Sequence, residues 1–295
     1  MFLGIKAYIL LLLLAFLLTY SDAWNWQNVP QKNVLPKQTC GKISRPSNGR
    51  KAGLNEFPWM AMLLYWNRYT KEMKPKCGGS LINNWYVLTT AHCVRDPGNP
   101  DIGSPHRVRL GEHNTEIDPD KSYVNGRWYY APRYVEINVA GAIVHEEFFH
   151  GSAYRNDIAL LLLQEPVVYS AAIKPICLPD LSIETSQQHN RIFKAAGWGN
   201  NSPVLMRSII KELHPSDLKC KSPIFQFKTQ ICARGVLNDI AEGDSGGPLM
   251  ATMKRGRQEV MYLAGIISYG YKSGKNKPSY YTKTSMYVDW ITKHL

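Results

Sequence analysis

The chain is short of acid. Against 35 Lys and Arg stand only 23 Asp and Glu, a formal net charge of +12 over 295 residues. A basic excess invites acidic partners, but the cations are scattered, with no interleaved aromatic stripe, so the charge reads as a solvated surface and no nucleic-acid partner is expected. The six cysteines contain no C-x-x-C pair, which argues against a zinc site and for disulfides. After the first segment there is no second long apolar run, so no membrane span is expected in the mature protein. Helical periodicity is missing until Ser285–Leu295.

What is present begins with an export signal. Met1 to about Ala23 carries Lys6, the apolar run Tyr8 to Leu18 and the small-residue site Ser21-Asp22-Ala23, the layout of a secretory signal peptide. As a membrane anchor the run is short, so the expected location is secreted, extracellular. Residues 24–45 are polar, proline-containing and too short for a core; they read as a short propeptide. From Phe57 onward, short apolar or alternating runs are separated by turn residues, the pattern of an all-β chain. Trp59–Tyr65, Cys77–Ile82, Tyr86–Thr90, Val108–Leu110, Ile137–Val144 and Ile158–Leu163 form one set. Ile192–Trp198, Ile209–Leu213, Gln230–Ala233, Pro248–Met253, Val260–Ser268 and Ser279–Thr284 form a second.

The chemistry centres on Glu242-Gly243-Asp244-Ser245-Gly246-Gly247-Pro248-Leu249. Glycines let the backbone turn sharply around a serine, and the N–H groups of Gly243 and Ser245 could hold a developing oxyanion. A serine hydroxyl needs a base and an orienting acid. Thr90-Ala91-His92-Cys93 and Arg155-Asn156-Asp157-Ile158-Ala159-Leu160 offer them. The same loop fits the looser G-x-S-x-G elbow of α/β-hydrolases, with Asp289 and His294 following, but that elbow needs a helix directly after the serine, which Gly246-Gly247-Pro248 opposes.

Together these stretches resemble the chymotrypsin-like (trypsin family) secreted serine proteases, in the pattern of arthropod clip-type catalytic domains but without the clip domain, since Cys40 is the only cysteine upstream. Gly197-Trp198-Gly199, Ile267-Ser268-Tyr269-Gly270 and Val288-Asp289-Trp290-Ile291 also fit. The resemblance implies two six-stranded antiparallel β-barrels, about 46–165 and about 180–295, with a short C-terminal helix, forming a protease domain over 46–295. His92 would be the general base, Asp157 its buried orienter and Ser245 the nucleophile of an acyl-enzyme mechanism. The pairings implied are Cys77–Cys93, Cys220–Cys232 and Cys40–Cys177, the last tethering the propeptide.

Specificity follows from the same resemblance. Asp239 falls at the base of the primary pocket, favouring cleavage after Arg or Lys. Ser268, Tyr269 and Gly270 line the cleft, and Tyr269 stands where tryptophan is usual. Ser279 replaces a wall glycine, which narrows the room for that preference or alters it; Ala241 and Ser273 replace a disulfide pair, which loosens the pocket. The loop from Glu112 to about Val135 resembles a calcium-binding loop, with Glu112, Asn114, Glu116, Asp118 and Asp120 as candidate donors. The chemistry itself requires no cofactor. Asn200-Asn201-Ser202 is a glycosylation acceptor sequence, followed by Pro203.

Activation is where the sequence departs most from the resemblance. Family members are cut after a basic residue, and the new Ile-Val-type terminus inserts beside the aspartate preceding the nucleophile, here Asp244. Counting back from Phe57-Pro58-Trp59 puts the cut after Arg45 and makes Pro46 the terminus. Proline offers a secondary amine on a rigid ring. Either the cut falls between Lys42 and Ile43, or the chain is not activated by cleavage. The reading is a secreted endopeptidase zymogen acting by limited proteolysis in an extracellular cascade such as innate immunity, on protein substrates, with an upstream activating protease and a serpin-type inhibitor as partners. The alternative is a catalytically silent homologue that binds or regulates.

Overall fold

Strands form where apolar side chains can face a shared interior, and β8 (Ala159–Leu163) shows the limiting case, with all five residues buried. The computed structural model describes residues 35–36, 39–43, 47, 49–95, 103–148, 154–180, 191–236, 240–270 and 277–295. The signal segment, Arg45, Pro46, Asp239 and Ser273 lie outside them.

The first barrel closes through β1 (Met60–Asn67), β2 (Glu72–Leu81), β3 (Tyr86–Thr89), β4 (Arg107–Leu110), β7 (Val135–Val144) and β8, in the order β1-β2-β3-β8-β7-β4. The second uses β9 (Ile192–Gly197), β10 (Met206–Glu212), β11 (Gln230–Gly235), β12 (Pro248–Arg255), β13 (Gln258–Gly270) and β14 (Ser279–Lys283), in the order β10-β11-β14-β13-β12-β9. The fold is therefore all-β, two closed six-stranded antiparallel barrels. Closure removes the exposed edges that open sheets must protect. A single helical turn, α1 (Ala91–Val94), follows β3, and α2 (Val288–Lys293) ends the chain.

A third sheet was not expected from the sequence. β5 (Lys121–Val124) and β6 (Arg127–Tyr130) pair only with each other, across Asn125-Gly126. Both turn residues have positive φ, 49° and 79°, as a two-residue hairpin turn requires. This hairpin occupies the stretch read from sequence as a calcium loop.

The barrels are joined at several depths. Trp59 Nε1, fully buried, donates to Met250 Sδ at 3.2 Å, and Gly78 N donates to Ser245 O at 2.8 Å. Cys40–Cys177, Cys77–Cys93 and Cys220–Cys232 are bonded, with S–S distances of 2.10, 2.00 and 2.04 Å. Cys40 thereby fastens the segment before the barrels to the strand region around Tyr262, whose neighbour Met261 donates to Gly41 O at 2.9 Å.

One buried ion pair anchors the chain just downstream of Pro46. Glu56, with no exposed surface, accepts the N–H groups of Gly53 and Ser47 at 2.7 and 3.1 Å and pairs with Arg207 at 3.1 Å. Arg207 also donates to the Ser47 carbonyl. Removing one partner strands the other charge in the interior. Glu56→Ala is therefore expected to lower the unfolding free energy by about 3–5 kcal/mol, read by urea denaturation of the Ser245→Ala protein so that proteolysis cannot intervene; a change below about 1 kcal/mol would show the pair to be solvated.

Candidate active site

His92 is the second residue of α1. The chain leaves β3 through Thr90, an extended N-cap with φ −87° and ψ 153°, and the helical turn brings His92 against Asp157 just before β8. Asp157 has no exposed surface. Its Oδ1 accepts the His92 backbone N–H at 3.0 Å, and its Oδ2 lies 2.8 Å from His92 Nδ1. Ser268 Oγ, at the end of β13, donates to the same Oδ2, and Thr282 Oγ1 on β14 donates to the Asp157 carbonyl at 2.8 Å. A buried carboxylate is tolerable when donors surround it. Because an ionised carboxylate only accepts, His92 Nδ1 carries the proton, leaving a lone pair on Nε2. An imidazole so arranged can take a proton from a hydroxyl.

The serine loop is shaped by its glycines. A Cβ on Gly246 would sit 2.2 Å from Thr89 Oγ1 and 2.4 Å from the Gly78 carbonyl, so no other residue fits. Gly243 takes φ +96°, a region side chains avoid. Gly246 N donates to Ile267 O at 2.8 Å while Gly78 N holds Ser245 O, so each barrel fixes the loop. The Cys77–Cys93 bridge runs alongside. Cys93 Sγ lies 3.6 Å from Ser245 O and 3.8 Å from His92 Nε2, bringing the loop and the basic nitrogen around one sulfur atom. Cys77, His92 and Cys93 also form the one His/Cys/Asp/Glu group close enough to hold a metal among the described residues. Both sulfurs are spent in the disulfide, so no thiolate is left to ligate.

Asp244, the residue before Ser245, is bound by backbone amides. Its carboxylate accepts Gly199 N at 2.8 Å and Ala241 N at 2.7 Å. Burial pushes its pKa up, and the two amide donors offset part of that shift. A cavity of about 210 Å³ opens beside it, with Arg50, Gly197, Met206, Arg207 and Ile240 in its lining.

The sequence profile of one family, Trypsin, matches residues 46–291. The chain belongs to the trypsin family. Among curated relatives, this trypsin-family chain is 37% identical to the Spaetzle-processing enzyme of Drosophila melanogaster, over 90% of this chain and 70% of that one. It is 35% identical to phenoloxidase-activating factor 1 of Holotrichia diomphalia, over 88% and 72%. Among solved structures it is similar to the Drosophila Grass clip serine protease of the Toll pathway, with TM-score 0.75 and 32% identity over 86% of this chain and 73% of that one. It is a trypsin-like serine protease, homologous to insect clip-domain enzymes.

In this trypsin-family site an aromatic column joins the barrels. Tyr154 meets His92 edge-on at 5.6 Å, Tyr269 stacks on Tyr154 at 4.8 Å, Tyr280 stacks on Tyr269 at 4.7 Å, and Phe225 leans on Tyr280 at 5.2 Å. Buried Gln230 ties the column together, donating to Tyr154 O at 3.1 Å and accepting from Tyr269 Oη at 3.3 Å. Tyr154 holds φ +63°, a left-handed backbone unusual for a bulky residue. Sequence reading named Tyr269 but missed Tyr154, Gln230 and Tyr280; the available signal was the place of Tyr154 three residues before Asp157. Opposite Gly270, Ser279 is buried, and a Cβ on Gly270 would lie 2.7 Å from Ser279 Oγ. The two residues are register partners on β13 and β14. Asp239, expected at the pocket base, lies outside the described residues.

Most of the donors expected to hold calcium are committed elsewhere. Glu112 Oε2 pairs with Arg109 at 2.9 Å, and Arg109 also binds Glu136 at 2.7 Å. Asn114 Oδ1 accepts the Glu116 N–H at 3.2 Å, and Asp120 turns inward onto His113 N and Asn114 N at 2.7 and 2.9 Å. The resident guanidinium already neutralises Glu112, so Glu112, Asn114 and Glu116 do not fit as a calcium cage.

Two outcomes follow from these contacts. Ser268→Ala removes a donor from a buried anion, a bond of about 1.5–3 kcal/mol, so kcat/KM on a peptide ester is expected to fall about tenfold to a hundredfold with KM little changed; an unchanged kcat would rule out a positioning role. Burial, chiefly, pushes the Asp120 pKa up from 3.8 to about 6. The native state then holds a proton that the unfolded chain has released, so this contribution to stability is full below the unfolded value and lost as pH rises through about 6. Denaturation midpoints are expected to fall across that window more steeply in the parent than in Asp120→Asn; parallel curves would contradict it.

Proposed function

We propose that the chain is a secreted zymogen of an endopeptidase that cuts after Arg or Lys. Ser245 Oγ attacks the scissile carbonyl while His92 Nε2 takes its proton. The tetrahedral oxyanion is held by the N–H groups of Gly243 and Ser245, and collapse expels the amine, protonated by His92, leaving an acyl-enzyme that water hydrolyses by the same steps. Asp157 keeps the imidazole oriented and stabilises its cation. The observation that carries this reading is the fully buried Asp157 carboxylate on His92 Nδ1 at 2.8 Å, with Cys93 Sγ near both His92 Nε2 and the Ser245 carbonyl of the glycine-shaped loop.

The preference for Arg or Lys rests on Asp239, placed by sequence alone, with Ser279 crowding the wall opposite Gly270. Activation is proposed to bring a new ammonium, from Ile43 or Pro46, into the cavity beside Asp244, where a buried carboxylate whose pKa is already raised by burial gains from a cation. Export is supported by the leader pattern in Met1–Ala23 and the three disulfides; among the described residues no helix is long and apolar enough to cross a membrane. The relatives named for Spaetzle processing and phenoloxidase activation point to limited proteolysis of protein substrates in an extracellular immune cascade, with an upstream protease as activator and a serpin-type inhibitor as control.

Covalent labelling tests the proposal. A fluorophosphonate is expected to label the secreted protein only after treatment with a trypsin-type activator, with none on Ser245→Ala, and terminal sequencing should then read Ile43 or Pro46. Absence of labelling under every activator, with arginine and lysine esters left intact, would overturn it in favour of a silent binding module.

A further inference from the structure

The β5–β6 hairpin carries more exposed aromatic surface than a hairpin outside a core can justify by its own packing. Its register sets Lys121 opposite Tyr130 and Tyr123 opposite Trp128. Residues two apart on a strand, and those directly across, share a face. Lys121, Tyr123, Trp128 and Tyr130 therefore line one side, with Tyr123, Trp128 and Tyr130 exposed to 60%, 55% and 64%. The face is organised rather than splayed: the Tyr123 and Trp128 rings lie 5.1 Å apart, and Lys121 Nζ sits 5.2 Å from the Trp128 ring. Solvent-exposed Tyr and Trp beside a cation are the composition of binding hot spots.

Charge selects the occupant. From Lys121 to Tyr130 there are two cations, Lys121 and Arg127, and no acid. The acids just before the hairpin are bound within the protein: Asp118 pairs with Arg133 at 3.0 Å, and buried Asp120 accepts two backbone amides. Glu116, which is exposed, is the nearest acid without such an engagement in its loop. The face thus offers apolar ring surface under a positive field.

We propose that this face is a docking site for an acidic, aromatic-containing segment of a protein partner, laid across Tyr123, Trp128 and Tyr130 with its carboxylates toward Lys121, while Arg127 on the opposite face adds to the positive field. The rings supply the contact area, and the cations steer and orient the segment. The site is independent of the peptidase chemistry, so its test uses the full-length Ser245→Ala protein, in which failure of catalysis leaves the result readable.

The probe is a fluorescein-labelled peptide in which glutamate pairs flank single phenylalanines, followed by polarisation. Saturable binding is expected, weakened by salt, and weakened about tenfold or more by Trp128→Ala and by Lys121→Glu, with Lys121→Arg restoring it. Urea midpoints equal to that of the parent would show that the variants fold. Equal binding of a matched peptide with glycine in place of phenylalanine would overturn the proposal, as would affinity unchanged by both variants. Binding of a heparin fragment or of phosphatidylserine vesicles through the hairpin, without affinity for the peptide, would also overturn it.

Discussion

A carboxylate with no access to water must be satisfied from within, and Asp157 is satisfied only if both barrels are in place. Its chain comes from the first barrel, as does His92, but Ser268 and Thr282, which bond its carboxylate and its carbonyl, come from the second. The cost of burying the charge therefore falls with correct docking of the two halves and rises steeply if they part. Catalytic orientation and barrel packing are one constraint. The serine loop repeats the arrangement on a smaller scale, held by Gly78 from one side and Ile267 from the other, so it too depends on both barrels.

Asp244 provides the contrast. It too is buried, but it faces two backbone amides and a cavity: among the described residues its carboxylate accepts from Gly199 N and Ala241 N. A site that raises a carboxylate's pKa by burial is one in which an arriving cation gains most. The segment that could deliver it is moored at Ser47 by Glu56 and Arg207. A terminus at Ile43 would have four residues of sequence before Ser47, whereas a terminus at Pro46 would have one.

Much of the fold was legible because short apolar runs and turn residues alternate, and barrel strands bury side chains in the pattern those runs predict. β8 is the clearest case: Ile158-Ala159-Leu160-Leu161-Leu162-Leu163 reads as a fully buried strand and is one. The helical ending is shorter than read, starting at Val288 after a 3₁₀ turn over Thr284–Tyr287. The β5–β6 hairpin is hidden behind the acids that precede it, which read as a metal loop, although Asn125-Gly126 is a strong hairpin signal. Roles that depend on side chains meeting across long separations were less accessible. Gln230 binding both Tyr154 and Tyr269 spans 76 and 39 residues, and no local pattern announces such a contact.

The loop before the hairpin shows how the same local problem admits different solutions. A cluster of acids in a tight loop repels itself unless a cation, a disulfide or ordered donors hold it. Here Arg109 bridges Glu112 and Glu136, Tyr134 packs on its guanidinium at 4.2 Å, and Asp120 takes two amides. Arg109 lies on β4 and Glu136 on β7, so the loop is anchored to the barrel wall by strands that are already paired at those positions. A guanidinium bound to its chain cannot dissociate as a free ion can, so the loop before the hairpin carries its own cation on the barrel wall.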